Sequence, residues 1–125
     1  MRVLLDTITF LWGVSSSEHI SRAAMSALAS PAAVREISVV SFSEIAIKQT
    51  RGKLTFSKEE LAKGVSDLRL RVMPYTAAHA YGLFDLPLHH DDPFDRQIIA
   101  QARAEDIPVV TSDRVFRLYS GLKVM

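Results

Sequence analysis

Short apolar segments of strand type alternate with helical segments along most of the chain, and this alternation constrains the fold more than any other feature. Strands are predicted at residues 2–5, 36–41, 71–74, 108–111 and 122–125. Helices are predicted at residues 7–14, 17–30, 43–51, 57–68, 76–84, 93–105 and 113–118. Such alternation favours a parallel sheet with helices on both faces. With 125 residues, of which 48% are hydrophobic, the chain is long enough for one domain spanning 1–125.

The composition excludes several classes of protein. The chain has no cysteine, which rules out a disulfide scaffold and a cysteine-ligated zinc site and favours a cytoplasmic location. The net charge is only +1, so a nucleic-acid surface would have to be a local patch. Asp6 interrupts the apolar run 3–14, which argues against a signal sequence, and no apolar run is long enough to span a membrane.

Four acidic residues stand just after a predicted strand or at a predicted helix start. They are Asp6, Glu44, Asp95 and Asp113. In a parallel α/β domain these positions share the edge formed by the carboxyl ends of the strands, where ligands usually bind. Carboxylates gathered there repel one another unless a cation is present. Oxygen ligands favour Mg²⁺ or Mn²⁺ over zinc, so the pattern predicts a metal site for phosphate chemistry.

The segment that contains Asp95 combines a helix start with an acid on the apolar side of that helix. Asp92 is a suitable N-cap and Pro93 suits the first helical position. Asp95 lies on the edge of an apolar stripe that includes Ile98 and Ile99. A carboxylate that faces a core is costly unless something compensates its charge. We therefore expect Asp95 to be a metal ligand and Asp92 to be a helix cap.

Each acid also has a purely structural interpretation. Ser41 and Glu44 fit a capping box, and Glu44 could instead pair with Lys48 four residues later. Asp6 and Asp113 could be N-caps. Under this alternative the domain would be a non-catalytic binding module.

Basic and hydroxyl residues accompany the acids. Lys48 and Arg51 share a helical face with Glu44, and Arg96 directly follows Asp95. These cations could steer a polyanionic substrate, or they could lie on a solvated helix end. Thr111 could position water or phosphate.

The adjacent pair His89 and His90 lacks the i, i+4 spacing of a zinc site. Loop packing or a substrate contact is predicted for this pair instead.

Four segments, taken together, resemble the PIN-domain ribonucleases and especially the VapC-type toxins of type II toxin–antitoxin systems. They are 4–7 (LLDT) with 11–12 (LW), 43–48 (SEIAIK) with 51–54 (RGKL), 86–96 (LPLHHDDPFDR) and 110–114 (VTSDR). The resemblance implies a three-layer α/β/α sandwich around a parallel sheet. It also implies Mg²⁺- or Mn²⁺-dependent hydrolysis of RNA by the same four acids, a homodimer, and inhibition by a small VapB-like antitoxin.

Two positions depart from the pattern of close relatives, which often have His at Ile8 and Trp at Ser43. Neither position belongs to the acid quartet, so metal binding is expected to survive. The combined prediction is a metal-dependent endoribonuclease in which Lys48, Arg51, Arg96 and Thr111 contact the substrate. A DNA-directed nuclease of the same fold is the nearest alternative.

Overall fold

Four parallel strands form the centre of the protein, in the spatial order β3-β2-β1-β4. The computed structural model describes all residues, 1–125. The strands are β1 (Arg2–Leu5), β2 (Val34–Ser38), β3 (Arg71–Met73) and β4 (Val109–Val110). The helices are α1 (Thr7–Ser15), α2 (Arg22–Ala29), α3 (Val39–Thr50), α4 (Lys58–Asp67), α5 (Ala77–Tyr81) and α6 (Pro93–Glu105). Short 3₁₀ segments cover Ser17–His19, Gly82–Asp85 and Arg114–Leu118. The predicted α/β fold with a central parallel sheet is confirmed.

The two faces of the sheet bury two separate apolar cores. Successive strand residues point to opposite faces, so β1 sends Leu4 into one core and Val3 and Leu5 into the other. The first core also contains Ile98 and Ile99 of α6, and the second contains Phe10 of α1. Helices α1 and α6 therefore pack on opposite faces of the sheet, and the first turn of each helix lies at the carboxyl edge of the sheet.

Helix α6 begins as the sequence predicted. Both backbone N–H groups of Phe94 and Asp95 donate to the Asp92 carboxylate at 2.9 Å, and Pro93 occupies the first helical position. Asp92 is therefore a helix cap, and the first turn of α6 holds Asp95 in a fixed orientation at the sheet edge.

The predicted strand 36–41 is wrong in its second half. The strand ends at Ser38, whose side chain caps α3 by accepting a hydrogen bond from the Val40 N–H at 3.0 Å. The β-branched pair Val39 and Val40 favoured a strand in the prediction, but burial of Val40 in the core stabilises it in the helix. The capping box that starts at Ser41 is also wrong, because Ser41 lies inside α3.

Three further boundaries differ from the prediction. The helix predicted at 17–30 is broken, because Ser21 accepts a hydrogen bond from the Ala24 N–H at 3.1 Å and starts α2 anew. The helix predicted at 76–84 continues as a 3₁₀ segment from Gly82. The strand predicted at 122–125 is reduced to one bridge between Val124 and Val109. No helix has the length and apolar character needed to cross a membrane.

Candidate active site

The four predicted acids all lie at or near the carboxyl edge of the sheet. Asp6 directly follows β1, and Asp113 follows β4 and precedes the 3₁₀ segment Arg114–Leu118. Asp95 lies in the first turn of α6. Glu44 lies in the second turn of α3 rather than at the helix start, because that helix begins earlier than predicted.

Asp6 is the most constrained of the acids. It is 3% exposed, and it accepts hydrogen bonds from the Thr9 N–H at 2.8 Å and from the Thr111 hydroxyl at 2.5 Å. Burial raises the pKa of Asp6, its hydrogen bonds with Thr111 and Thr9 lower it, and the charge of Asp113 raises it further. The Thr111 oxygen also accepts from the Asp113 N–H at 3.0 Å. Thr111 therefore ties the carboxylate after β1 to the loop after β4.

Glu44 has one paired and one unpaired carboxylate oxygen. Its Oε2 accepts from the Lys48 ammonium at 2.7 Å, as the i, i+4 spacing predicted. Its Oε1 is buried and has no hydrogen-bond partner. An unpaired buried carboxylate oxygen is costly, so a donor or a cation bound to this atom would be stabilising.

Asp95 shows that the four acids share one electrostatic environment. Burial first, and then the negative charges of Asp92, Asp6, Glu44 and Asp113, raise the pKa of Asp95 to about 7. The acids around Asp95 oppose its ionisation, and the predicted compensation of this carboxylate by a metal ion stays a prediction.

Asp113 differs from the other three acids because it is exposed. It accepts a hydrogen bond from the Val115 N–H at 3.0 Å and so caps the 3₁₀ segment. The structural interpretation as a cap applies to Asp113 and to Asp6, but Asp6 and Asp113 each keep a second oxygen that the cap does not use.

The ammonium of Lys48 is paired with one of these acids in the observed arrangement. Its hydrogen bond with Glu44 raises the pKa of Lys48, burial lowers it, and the charges of Glu44, Asp92 and Asp95 raise it further. Lys48 thus partly neutralises acids that would otherwise repel one another.

No three His, Asp or Glu side chains are close enough together to hold a metal ion in the observed arrangement.

The donor set nevertheless fits a hard divalent cation. All the candidate ligands are carboxylate oxygens, which Mg²⁺ and Mn²⁺ prefer. One of these oxygens, Glu44 Oε1, is buried without a partner, and like charges disfavour ionisation of Asp95. A divalent cation would relieve both.

The predicted basic contacts have different surroundings. Arg51 is exposed at the end of α3. Arg96 donates to the carbonyl oxygens of Pro87 and Leu86, at 2.9 and 3.1 Å, and to the Tyr119 hydroxyl at 3.2 Å. These contacts hold the loop before α6, and the predicted steering of a substrate by Arg96 receives no support from them.

His90, predicted to serve loop packing or a substrate contact, lies beside Asp95 and contacts Tyr119, which the sequence did not single out. His90 Nε2 lies 3.5 Å from Asp95 Oδ2, and His90 Nδ1 lies 2.6 Å from the Tyr119 hydroxyl. The sequence singled out the two histidines, but nothing in their spacing connects His90 with a tyrosine 29 residues later.

A family model for the PIN domain matches residues 3–122 of the chain. The chain belongs to the PIN-domain family. PIN domains are typically nucleases that hydrolyse phosphodiester bonds, and PIN nucleases generally use divalent metal ions. No curated protein matches the sequence.

Solved structures with the same fold include several toxin–antitoxin proteins. This PIN domain is similar to VapBC2 from Rickettsia felis bound to a promoter DNA fragment, with a TM-score of 0.73, 18% identity, and coverage of 100% of this chain and 98% of that chain. It is also similar to DNA-bound VapBC from Salmonella typhimurium, with a TM-score of 0.71, 19% identity, and coverage of 100% of this chain and 97% of that chain. A third similar structure is VapBC-5 from Mycobacterium tuberculosis, a member of the VapBC family of toxin–antitoxin systems. Its TM-score is 0.62 and its identity is 18%, with coverage of 99% of this chain and 97% of that chain. At such identities the likeness shows the fold alone.

Proposed function

We propose that this PIN domain is a metal-dependent endoribonuclease and the toxin of a VapC-type toxin–antitoxin pair. The observation that carries the proposal is the buried, unpaired Oε1 of Glu44 at the carboxyl edge of the sheet, where burial first and then the charges of the neighbouring acids raise the pKa of Asp95 to about 7. Structural caps alone do not explain why acids from four separate elements lie in one electrostatic field. A site for a divalent cation would explain it.

The proposed ligands are Asp6, Glu44, Asp95 and Asp113. When bound among them, Mg²⁺ or Mn²⁺ would supply positive charge that polarises a phosphodiester and favours ionisation of a water nucleophile. The carboxylate of Asp6 is held in place by Thr9 and Thr111 and therefore needs little rearrangement.

Lys48 and Arg51 are the proposed contacts to the RNA backbone. The Lys48 side chain is 41% exposed, so it can turn from Glu44 towards a phosphate in solvent. Arg51 follows at the exposed end of the same helix. Both contacts are to phosphate, which fixes position on the substrate and carries no base specificity.

Thr111 has a different proposed role. Its hydroxyl proton is donated to Asp6, which leaves the oxygen as an acceptor near the site. Thr111 would therefore orient a ligand carboxylate first and contact water or phosphate second.

An antitoxin partner and a homodimer are part of the proposal. The similar solved VapBC structures support the first. The exposed side chains of Tyr81, Phe84 and Leu88 provide apolar surface that a second copy could cover. A cytoplasmic location is consistent with the absence of cysteine.

Cleavage of a single-stranded RNA by the purified chain tests the proposal. We expect cleavage with Mg²⁺ or Mn²⁺, none with a chelator, and a loss of at least about 100-fold in Asp95→Asn. The matched control is Asp91→Asn, which changes an exposed acid in the loop before the same helix and is expected to keep full activity. Full activity in Asp95→Asn would end the assignment.

Two further outcomes separate the alternatives. Preferential cleavage of a DNA strand with the matched sequence would identify a DNA nuclease. No binding of Mn²⁺ at millimolar concentration in calorimetry would identify a non-catalytic module.

A further inference from the structure

His90 lies between the proposed site and the apolar core. Its ring is tilted against the Phe116 ring and edge-on to the Tyr119 ring, with centroid distances of 6.3 and 5.6 Å. Its Nε2 is buried and has no hydrogen-bond partner, yet it lies 3.5 Å from Asp95 Oδ2. Closing that gap by about 0.5 Å would give an ordinary hydrogen bond. The neighbouring His89 is exposed and contacts Tyr119 edge-on instead.

The contacts of the Tyr119 hydroxyl favour one of the two neutral forms of the His90 ring. An arginine side chain has donors and no acceptor. Because Arg96 donates to the Tyr119 oxygen at 3.2 Å, that oxygen accepts there, and its single proton is free to point at His90 Nδ1, 2.6 Å away. The arrangement that gives this proton an acceptor makes Nδ1 the acceptor of the neutral ring and places the ring proton on Nε2, which lies near Asp95.

We propose that His90 is a positioning residue for Asp95, with its tautomer fixed by the hydrogen-bond chain from Arg96 through Tyr119. The ring donates from Nε2 to Asp95 Oδ2, which leaves Oδ1 to face the other acids. Arg96 and Asp95 are adjacent in α6, and His90 lies in the loop before this helix. The contacts from Arg96 through Tyr119 and His90 to Asp95 therefore hold that loop and the carboxylate in one arrangement. This role rests on the proposed function, since it prepares Asp95 as a metal ligand.

Arg96 thereby has a role that is separate from the predicted contact with substrate. Its guanidinium donates hydrogen bonds to two loop carbonyl oxygens and to the Tyr119 hydroxyl oxygen. It acts on Asp95 through two intervening side chains, those of Tyr119 and His90.

The tautomer is tested by ¹⁵N NMR of the histidine rings in the metal-free protein at about pH 8, where a histidine ring is ordinarily neutral. We expect the His90 signals of a ring protonated on Nε2, and we expect Tyr119→Phe to increase the fraction protonated on Nδ1. A His90 ring protonated on Nδ1 in the unmodified protein would overturn the inference.

Two substitutions at His90 separate positioning from packing. The amide nitrogen of glutamine can take the place of Nε2, whereas that of asparagine takes the place of Nδ1. Hydrogen bonds that orient a metal ligand in this way are worth about 10-fold or more in metal affinity. His90→Asn should therefore weaken Mn²⁺ binding by about 10-fold, while His90→Gln should restore most of it, and His89→Gln should match the unmodified protein.

The outcomes distinguish this inference from the proposed function. If the unmodified protein binds Mn²⁺ and His90→Asn binds it equally well while remaining folded, the positioning role is refuted. Equal losses in His90→Asn and His90→Gln would also refute it, because they would show a packing effect. If the unmodified protein binds no Mn²⁺, the proposed function fails, and the NMR measurement still decides the tautomer.

Discussion

Replacing Asp95 by asparagine should make the metal-free protein more stable while it abolishes the proposed activity. The asparagine side chain would keep the size and polarity of the aspartate and would remove a charge that the surroundings disfavour. The pKa of Asp95 rises from 3.8 to about 7 in the folded protein, first because of burial and then because of the neighbouring acids. Folding therefore has to oppose ionisation of this group at neutral pH.

The size of the effect follows from the shift in pKa. A rise in the pKa of about 3 units, at about 1.4 kcal/mol for each unit, sets an upper limit of about 4 kcal/mol on the destabilisation caused by the Asp95 charge. The Asp95 side chain keeps 19% exposure, and the ammonium of Lys48 attracts its charge, so solvent and this cation reduce the penalty. We expect Asp95→Asn to stabilise the protein by about 2 kcal/mol, which for a domain of this size raises the melting temperature by about 8 °C.

The assay is thermal unfolding with excess chelator from about pH 8 to about pH 4. Because the pKa of Asp95 is higher in the folded than in the unfolded state, the penalty is complete above about pH 7, declines as pH falls and is absent below about pH 4. The gain in Asp95→Asn should decline in the same window, and Asp91→Asn should show no gain. If Asp95→Asn has the same melting temperature as the unmodified protein at about pH 8, or a lower one, the reasoning is refuted.

Three further substitutions test other contacts. Lys48→Met removes the cation paired with Glu44 and should tighten Mn²⁺ binding several-fold in calorimetry, whereas Lys63→Met, at an exposed i, i+4 pair, should leave it unchanged. Thr111→Val leaves a buried carboxylate oxygen unpaired and should lower stability in urea by about 1–3 kcal/mol. Gly64→Ala should cost about as much, because a Cβ there would lie 2.7 Å from a Val14 methyl group and 3.0 Å from the buried Phe10 ring, whereas Gly82→Ala has room and should be nearly neutral.

The parts of the fold that depend on local chemistry were predictable. The Asp92 cap with Pro93 placed the start of α6 at the correct residue, and the capping box of Ser57 with Glu60 placed α4. The start of α3 was not predictable from propensity, because Val39 and Val40 favour a strand and only the tertiary packing of Val40 selects the helix.

The placement of the acids was predictable for a topological reason. Residues that follow parallel strands meet at one edge whatever the exact boundaries are, so the error at α3 moved Glu44 along its helix without removing it from the shared field. The link from Arg96 through Tyr119 to His90 was not predictable, because it joins positions separated by tertiary folding and by no sequence period.

The central claim is that the carboxylates at the sheet edge hold a divalent cation, and diffraction from crystals soaked in Mn²⁺ tests it most directly. We expect an anomalous peak within ligand distance, about 2.2 Å, of oxygens from Asp6, Glu44 and Asp95, with the Lys48 ammonium displaced from Glu44. A peak that avoids these carboxylates, or no peak at millimolar Mn²⁺ with the Lys48–Glu44 pair intact, would contradict it.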